Sequence, residues 1–166
     1  MKTWLRWVFI VISVGGGFTG IAIISEAMFR QEASLATWMI YGIAMILYLF
    51  TVVSGLIFAD NPRRTLPLTV ALLVQIPWVS SPIIVYSFCA GFRIAAGLLD
   101  GKIVLNWRLG SYVEIFLFGS SHPWGAGINF FAVLALILLL RYSRTPNKSP
   151  EPTPVGAGSS ASRTTL

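Results

Sequence analysis

Charged side chains are scarce in this chain. They make up 11% of its 166 residues, whereas roughly 25% is usual in soluble domains. Hydrophobic residues make up 55%, and the mean hydropathy is +0.76. Because so few charges cannot shield that much apolar surface from water, we expect lipid to solvate much of the protein. The composition therefore disfavours a soluble domain and predicts an integral membrane protein.

Cysteine and histidine occur once each, as Cys89 and His122. One cysteine excludes an internal disulfide, and one histidine with one distant cysteine cannot supply the three or four ligands of a zinc site. We therefore expect no metal or other cofactor, and we interpret Cys89 as a buried structural thiol. Serines beside His122 raise the alternative of a membrane enzyme, but the chain has no Gly-x-Ser-x-Gly motif. We expect no enzymatic activity.

Positive charge is in excess, with 12 Lys and Arg against 6 Asp and Glu and a formal net charge of +6. The cations stand singly between apolar runs and form no basic stripe, so we expect no nucleic-acid partner. Eight of them lie in the termini and the 59–65 turn, and four lie in the other two loops. By the positive-inside rule, both termini are expected to be cytoplasmic, in a bacterial-type plasma (inner) membrane.

Four long apolar runs predict a mainly α-helical membrane protein with four transmembrane helices. The first run is longer than a signal-peptide core, although cleavage of residues 1–27 stays an alternative. The third run contains Pro77 and Pro82, so it is expected to be bent, or re-entrant instead of crossing fully. The predicted spans are 7–24, 37–58, 66–86 and 125–140.

The segment 87–124 carries too many charges for a lipid-exposed span, so it is expected to be extracytoplasmic. Two runs rich in β-branched and aromatic residues, 102–109 and 112–118, are joined by Gly110-Ser111 and predict a β-hairpin-like insertion between helices 3 and 4. A short interfacial helix over 111–118 is the alternative. Residues 1–144 thus form the predicted membrane domain, followed by a proline-rich, disordered cytoplasmic tail over 145–166.

Small residues recur at four-residue spacing in the first run, a pattern that lets helices approach closely in lipid. The contact could be within the chain or between copies in a homo-oligomer. The residues predicted to pack in this way are Ser13, Gly16, Gly17 and Gly20.

None of the predicted spans contains an ionisable residue, which disfavours an ion-coupled transporter. The favoured function is a structural, binding or assembly component that contacts a membrane-protein partner through the 87–124 segment. The alternatives are a small-solute transporter or channel subunit with a pathway near Gln75 and Pro77, and an enzyme that uses His122. The residues predicted to contact the partner are Trp107, Arg108, Tyr112 and Glu114.

Overall fold

The computed structural model describes residues 3–30, 34–117 and 122–143. Four helices and a six-stranded antiparallel sheet make up this part of the chain. The predicted tail over 145–166 lies outside the described residues. The helices are α1 (Thr3–Arg30), α2 (Leu35–Asp60), α3 (Leu66–Val74) and α4 (Phe130–Ser143). The strands are β1 (Pro77–Ser80), β2 (Ile84–Cys89), β3 (Phe92–Leu99), β4 (Lys102–Leu109), β5 (Tyr112–Leu117) and β6 (Gly125–Asn129).

Two helices, α1 and α2, are long and apolar enough to cross a membrane, by length and composition. A signal sequence near the N-terminus would pass the same test. At about 1.5 Å per residue, α1 and α2 are roughly 40 Å long, which exceeds the ~30 Å of a hydrocarbon core. They contain the predicted spans 7–24 and 37–58. A π-helical turn, Val11–Gly15, interrupts α1.

The prediction of a four-helix membrane protein is wrong, first because the run 66–86 is not one helix. Its helical part ends at Val74, and the rest forms β1 and β2. Gln75 closes the helix: its amide Nε2 donates to the Ala71 carbonyl at 2.9 Å, and its Oε1 accepts from the Ala90 amide at 2.9 Å. The following Pro77 cannot continue helical bonding, so the chain leaves the helix and enters the sheet.

The run 125–140 is also not one helix. Residues Gly125–Asn129 form β6, and α4 begins at Phe130 with only 14 residues. At about 1.5 Å per residue α4 is roughly 21 Å long, too short to cross a bilayer by itself. Gly125 and Gly127 weaken helix formation here and also allow close approach within the sheet.

The predicted hairpin between 102–109 and 112–118 is wrong as well. Strand β4 pairs with β3 through a turn at Asp100 and Gly101, which both have positive φ, whereas β5 pairs with β2. The order of strands is β4-β3-β6-β1-β2-β5, so β4 and β5 stand at opposite ends. The alternative of an interfacial helix over 111–118 is also wrong, because Tyr112–Leu117 is a strand.

The sheet is rolled, because its two end strands are neighbours in the chain. Only Gly110 and Ser111 separate β4 from β5. Three Cα–Cα steps of about 3.8 Å bridge at most ~11 Å, so the sheet must curl until its edges nearly meet. Ser111 holds this link against α1 by donating a hydrogen bond to the Gly16 carbonyl.

Two hydrophobic clusters divide the long helices into halves. At the end where α1 begins and α2 ends, the helices pack on α3 and α4 through the first cluster. At the other end they pack on the sheet through the second. The first cluster is Phe9, Phe58, Leu68, Leu72 and Leu139. The second is Ile24, Ala44, Tyr48, Phe88 and Ala90.

Glycines on α1 lie where neighbouring elements come closest. A Cβ at Gly17 would be 2.4 Å from Val52 Cγ2, and a Cβ at Gly20 would be 2.1 Å from the Tyr48 ring. The predicted packing residues Ser13, Gly16, Gly17 and Gly20 are all buried in the single chain. Gly16 differs from the others, because its neighbour is the backbone of Gly91 in the sheet.

The convex outer face of the rolled sheet is apolar. Side chains of one strand alternate between the two faces, and the outward residues of β4 are all large and hydrophobic. They are 72–84% exposed in the isolated chain. These residues are Ile103, Leu105, Trp107 and Leu109. The polar residues of β4 therefore face the concave side.

Candidate functional site

The concave face of the rolled sheet encloses a cavity of about 250 Å³. The register explains which side chains meet there, because residues directly opposite each other on paired strands share a face. Arg93 on β3 lies opposite Arg108 on β4, and Ser87 on β2 lies opposite Glu114 on β5. Polar and charged side chains therefore form about half of the cavity lining, although the chain as a whole is strongly apolar.

Arg93 is the buried cation of the cavity, with 8% of its surface exposed. Its guanidinium Nη1 donates a hydrogen bond of 2.6 Å to the Ser87 hydroxyl. In the described part of the chain, no carboxylate oxygen lies within 4.0 Å of this guanidinium. A buried cation without an anionic partner is costly, and the guanidinium presents five N–H donors. Among the described residues, the charge of Arg93 is therefore not neutralised by a carboxylate.

Arg108 brings a second cation to the same place from the sheet edge. Its guanidinium carbon lies 4.5 Å from the centre of the Tyr112 ring, and that of Arg93 lies 5.6 Å from the same ring. These distances are typical of cation–π contacts, which position a cation without neutralising it. Among the described residues, Arg108 likewise has no carboxylate within 4.0 Å. The Tyr112 ring thus holds both guanidinium groups near the cavity.

Tyr112 also donates a hydrogen bond from its hydroxyl to the carboxylate of Glu114. Burial, together with the hydrogen bond and the charge of Glu114, raises the pKa of Tyr112 to about 12, against the opposing effects of Arg108 and Arg93. The phenol consequently stays protonated at neutral pH and keeps one Glu114 oxygen occupied. Glu114 is the one described carboxylate that lines the cavity.

Trp78 occupies the sheet interior beside two glycines. A Cβ at Gly127 would lie 2.2 Å from its Nε1, and a Cβ at Gly97 would lie 2.8 Å from its ring. Gly97 and Gly127 are directly opposite each other on β3 and β6. Glycine at both positions leaves the volume that the indole fills. Larger side chains there would therefore displace Trp78 from the wall of the cavity.

His122 lines the cavity and stacks on Phe116, with ring centres 5.7 Å apart. The cavity serines make other contacts: Ser80 donates to the Pro123 carbonyl at 2.8 Å, and Ser87 accepts from Arg93. The serines adjacent to His122, at positions 120 and 121, lie outside the described residues. The described contacts therefore contain no serine hydroxyl bonded to the imidazole.

Cys89 lies at the end of β2 and is fully buried. Burial raises the pKa of its thiol to about 12, although the nearby Arg93 acts in the opposite direction. A protonated, inaccessible thiol is a poor nucleophile and a poor metal ligand. Within the described ranges, no group of three His, Cys, Asp or Glu side chains is close enough to hold a metal ion.

The structure brings together three of the four residues predicted to contact a partner. Arg108, Tyr112 and Glu114 line the cavity, whereas Trp107 is on the outer face and 75% exposed. The transporter alternative placed a pathway near Gln75, and this residue is buried with both amide groups bonded to backbone. Pro77 begins β1.

Sequence reasoning missed Arg93, Ser87 and Asn106, which also line the cavity. Arg93 and Asn106 stand in alternating strand patterns, and that alternation was the available signal. It shows that a polar residue faces one side of a strand, but it does not show which strand lies opposite. Only the register of β2, β3 and β4 reveals that these side chains converge.

No protein-family model, curated protein or solved structure matches this chain. We therefore infer its function from the cavity and the side chains that line it.

Proposed function

We propose that this chain is an integral membrane protein that binds a small anion inside its rolled sheet. The observation that carries the proposal is the pair of arginines beside Tyr112, whose guanidinium carbons lie 5.6 Å (Arg93) and 4.5 Å (Arg108) from the centre of its ring. With Glu114 as the one described carboxylate in the lining, the two guanidinium groups leave an excess of positive charge. An anion of phosphate or carboxylate type would provide the charge-assisted hydrogen bonds that these groups lack within the described chain.

The proposed membrane location is supported by the helices and by the sheet surface. Both long helices are apolar, and the outer face of β4 exposes only large hydrophobic residues. Since α3 and α4 are short, the sheet begins part-way along α1 and α2, and its outer face would contact lipid. An apolar exterior with a polar interior is the pattern of sheets in a bilayer.

We further propose that both termini are cytoplasmic and that the sheet lies towards the opposite side of a bacterial-type inner membrane. The start of α1, the end of α2, the start of α3 and the end of α4 share one cluster. The turn at that end carries Arg63 and Arg64, which favours the cytoplasmic side. In this arrangement the sheet and its cavity are reached from outside the cytoplasm.

Binding is favoured over catalysis by the state of the polar groups. The Tyr112 hydroxyl is protonated and engaged by Glu114, and Ser80 and Ser87 are engaged by partners other than His122. A nucleophilic mechanism needs a hydroxyl within reach of a base. The two arginines, by contrast, line the same cavity and have no carboxylate partner within the described residues.

The proposal is tested by titrating the purified full chain, in detergent, with inorganic phosphate and with acetate in a calorimeter. We expect Arg93→Gln and Arg108→Gln each to weaken binding of the preferred anion about tenfold, because each removes a charge-assisted contact. Arg63→Gln is the matched control, since it removes an exposed arginine at the other end of the molecule. Equal heats from the wild type and both cavity variants would refute the proposal.

A further inference from the structure

A second, larger depression adjoins the cavity. It is a groove of about 750 Å³ between the end of α1, the beginning of α2 and β5. Hydrophobic side chains form the larger part of its walls, and Thr37 and Tyr41 of α2 add polar groups. The hydrophobic side chains include Ile24 and Ala27 of α1, Ile40 and Ala44 of α2, and Val113 and Ile115 of β5.

The groove and the polar cavity share Arg108, Tyr112 and Glu114. These residues are at the seam between β4 and β5, the two strands that the pairing of the sheet leaves at its open ends. Inside the sheet they contribute charge to the cavity, and outside it they form the polar end of an apolar groove. A molecule at the seam would therefore meet cations at one end and hydrocarbon-like walls at the other.

We propose that the occupant is an anionic lipid, with its head group at the arginines and an acyl chain in the groove. The inference rests on the proposed function, because it names the class of molecule that supplies the anion. Charge complementarity selects the head group, since Arg93 and Arg108 outnumber the single cavity carboxylate. The apolar walls select the chain, and a small soluble anion would leave them empty.

The seam also gives the lipid a route. β4 and β5 are joined by Gly110 and Ser111 but are not paired with each other. A head group can therefore enter sideways from the bilayer while its chain stays in apolar surroundings. Tyr112 is at this opening and contacts both guanidinium groups, so it is the side chain that a head group would meet on entry.

The experiment compares two lipids on the full chain. Purified protein in mixed micelles with equal amounts of dioleoyl phosphatidylglycerol and dioleoyl phosphatidylcholine is examined by native mass spectrometry. We expect the anionic lipid to be retained at least about tenfold more than the zwitterionic one, and Arg108→Gln to abolish this preference. Equal retention of the two lipids by the wild type would overturn the inference.

The groove is tested separately by filling it. Ala27→Phe places a ring among the groove walls, and Ala22→Phe adds the same ring at an exposed position of the same helix. We expect Ala27→Phe to reduce retention of the anionic lipid about fivefold or more, and Ala22→Phe to leave it unchanged. Ile40→Trp is a second groove-filling variant on α2. Resistance of Cys89 to maleimide shows which variants are folded.

Binding of inorganic phosphate separates the two proposals. If phosphate binds through both arginines but folded Ala27→Phe and Ile40→Trp retain the lipid as the wild type does, the lipid inference fails and the anion site stands. If neither phosphate nor the anionic lipid distinguishes the wild type from Arg108→Gln, both proposals fail. Loss of lipid in the groove variants with unchanged phosphate binding supports both.

Discussion

The guanidinium carbon of Arg108 lies 4.5 Å from the centre of the Tyr112 ring, and this contact joins the two ends of the rolled sheet. Arg108 is near the end of β4, and Tyr112 is the first residue of β5. No other described relationship ties the sheet edges together through side chains at the mouth of the cavity. Under the proposed function, we therefore expect binding of an anion there to depend on how closely the two edges approach.

Replacing Glu114 with glutamine should strengthen anion binding. Glu114→Gln removes the one described carboxylate of the cavity lining, while its side-chain oxygen can still accept from Tyr112. We expect the affinity for inorganic phosphate to rise about threefold to tenfold, because a like charge is removed from the site. Asp60→Asn, at the exposed end of α2, is the control. A weaker affinity in Glu114→Gln would argue that the carboxylate itself binds the ligand.

A methyl group at Gly20 should destabilise the helix pair. The added Cβ would lie 2.1 Å from the ring of Tyr48, which is itself buried. We expect Gly20→Ala to lower the free energy of unfolding by about 1–3 kcal/mol, the usual cost of overpacking. Gly42→Ala is the matched control, because no heavy atom lies within 4 Å of its Cβ. Unfolding by a denaturing detergent measures the stability of both variants. Equal stability of the two would contradict the close packing of Gly20 against Tyr48.

Cys89 should resist alkylation in the folded protein. Its thiol is buried, and burial raises its pKa to about 12, so the reactive thiolate is nearly absent at pH 8. We expect maleimide to react at least about 100-fold more slowly with the folded chain than with the denatured chain. Because the folded pKa is raised, the stabilisation from the protonated thiol is complete below about pH 9 and is lost as the pH rises towards 12. Rapid labelling at pH 8 would show that the end of β2 is accessible to the reagent, contrary to this prediction.

The resistance of Cys89 makes the topology measurable with single added cysteines. Lys102→Cys is at the exposed start of β4, beside the β3–β4 turn, and Arg63→Cys is in the exposed turn at the opposite end of the helices. With an impermeant maleimide on intact bacterial cells, we expect Lys102→Cys to be labelled and Arg63→Cys to be labelled only after permeabilisation. Labelling of both positions from the same side would contradict the proposed orientation.

Hydropathy was sufficient to locate the two long helices and insufficient for the other two runs. Residues 37–58 contain no charge and no proline, and they lie within a single helix. Residues 66–86 and 125–140 also contain no charged side chain, but part of each run belongs to a sheet with a hydrophobic outer face. An average over side chains cannot separate such a strand from a helix. Pro77 and Gly127 were the local signs of the difference.

The candidate site was accessible to sequence reasoning only within single strands. Arg108, Tyr112 and Glu114 are predicted contact residues because the segment 87–124 is expected to have surface outside the lipid, and the structure places all three at the cavity. Arg93 and Ser87 could not be added, because their convergence depends on pairing between distant strands. Gly110 has a positive φ, which is typical of a hairpin turn. The chain nevertheless passes there from β4 at one edge of the sheet to β5 at the other edge.

The position of β6 determines when the protein can complete its fold during synthesis. β6 pairs with β1 on one side and with β3 on the other, so among the described strands it is the one that joins the two halves of the sheet by backbone pairing. One half, β3 and β4, carries both arginines, and the other carries Ser87, Tyr112 and Glu114. A nascent chain that stops before Gly125 has every cavity residue named here, but it lacks the strand that aligns the two halves by backbone pairing. Under the proposed function, the anion site is therefore complete only after β6 has left the ribosome, and we expect fragments that end before Gly125 not to bind the anion.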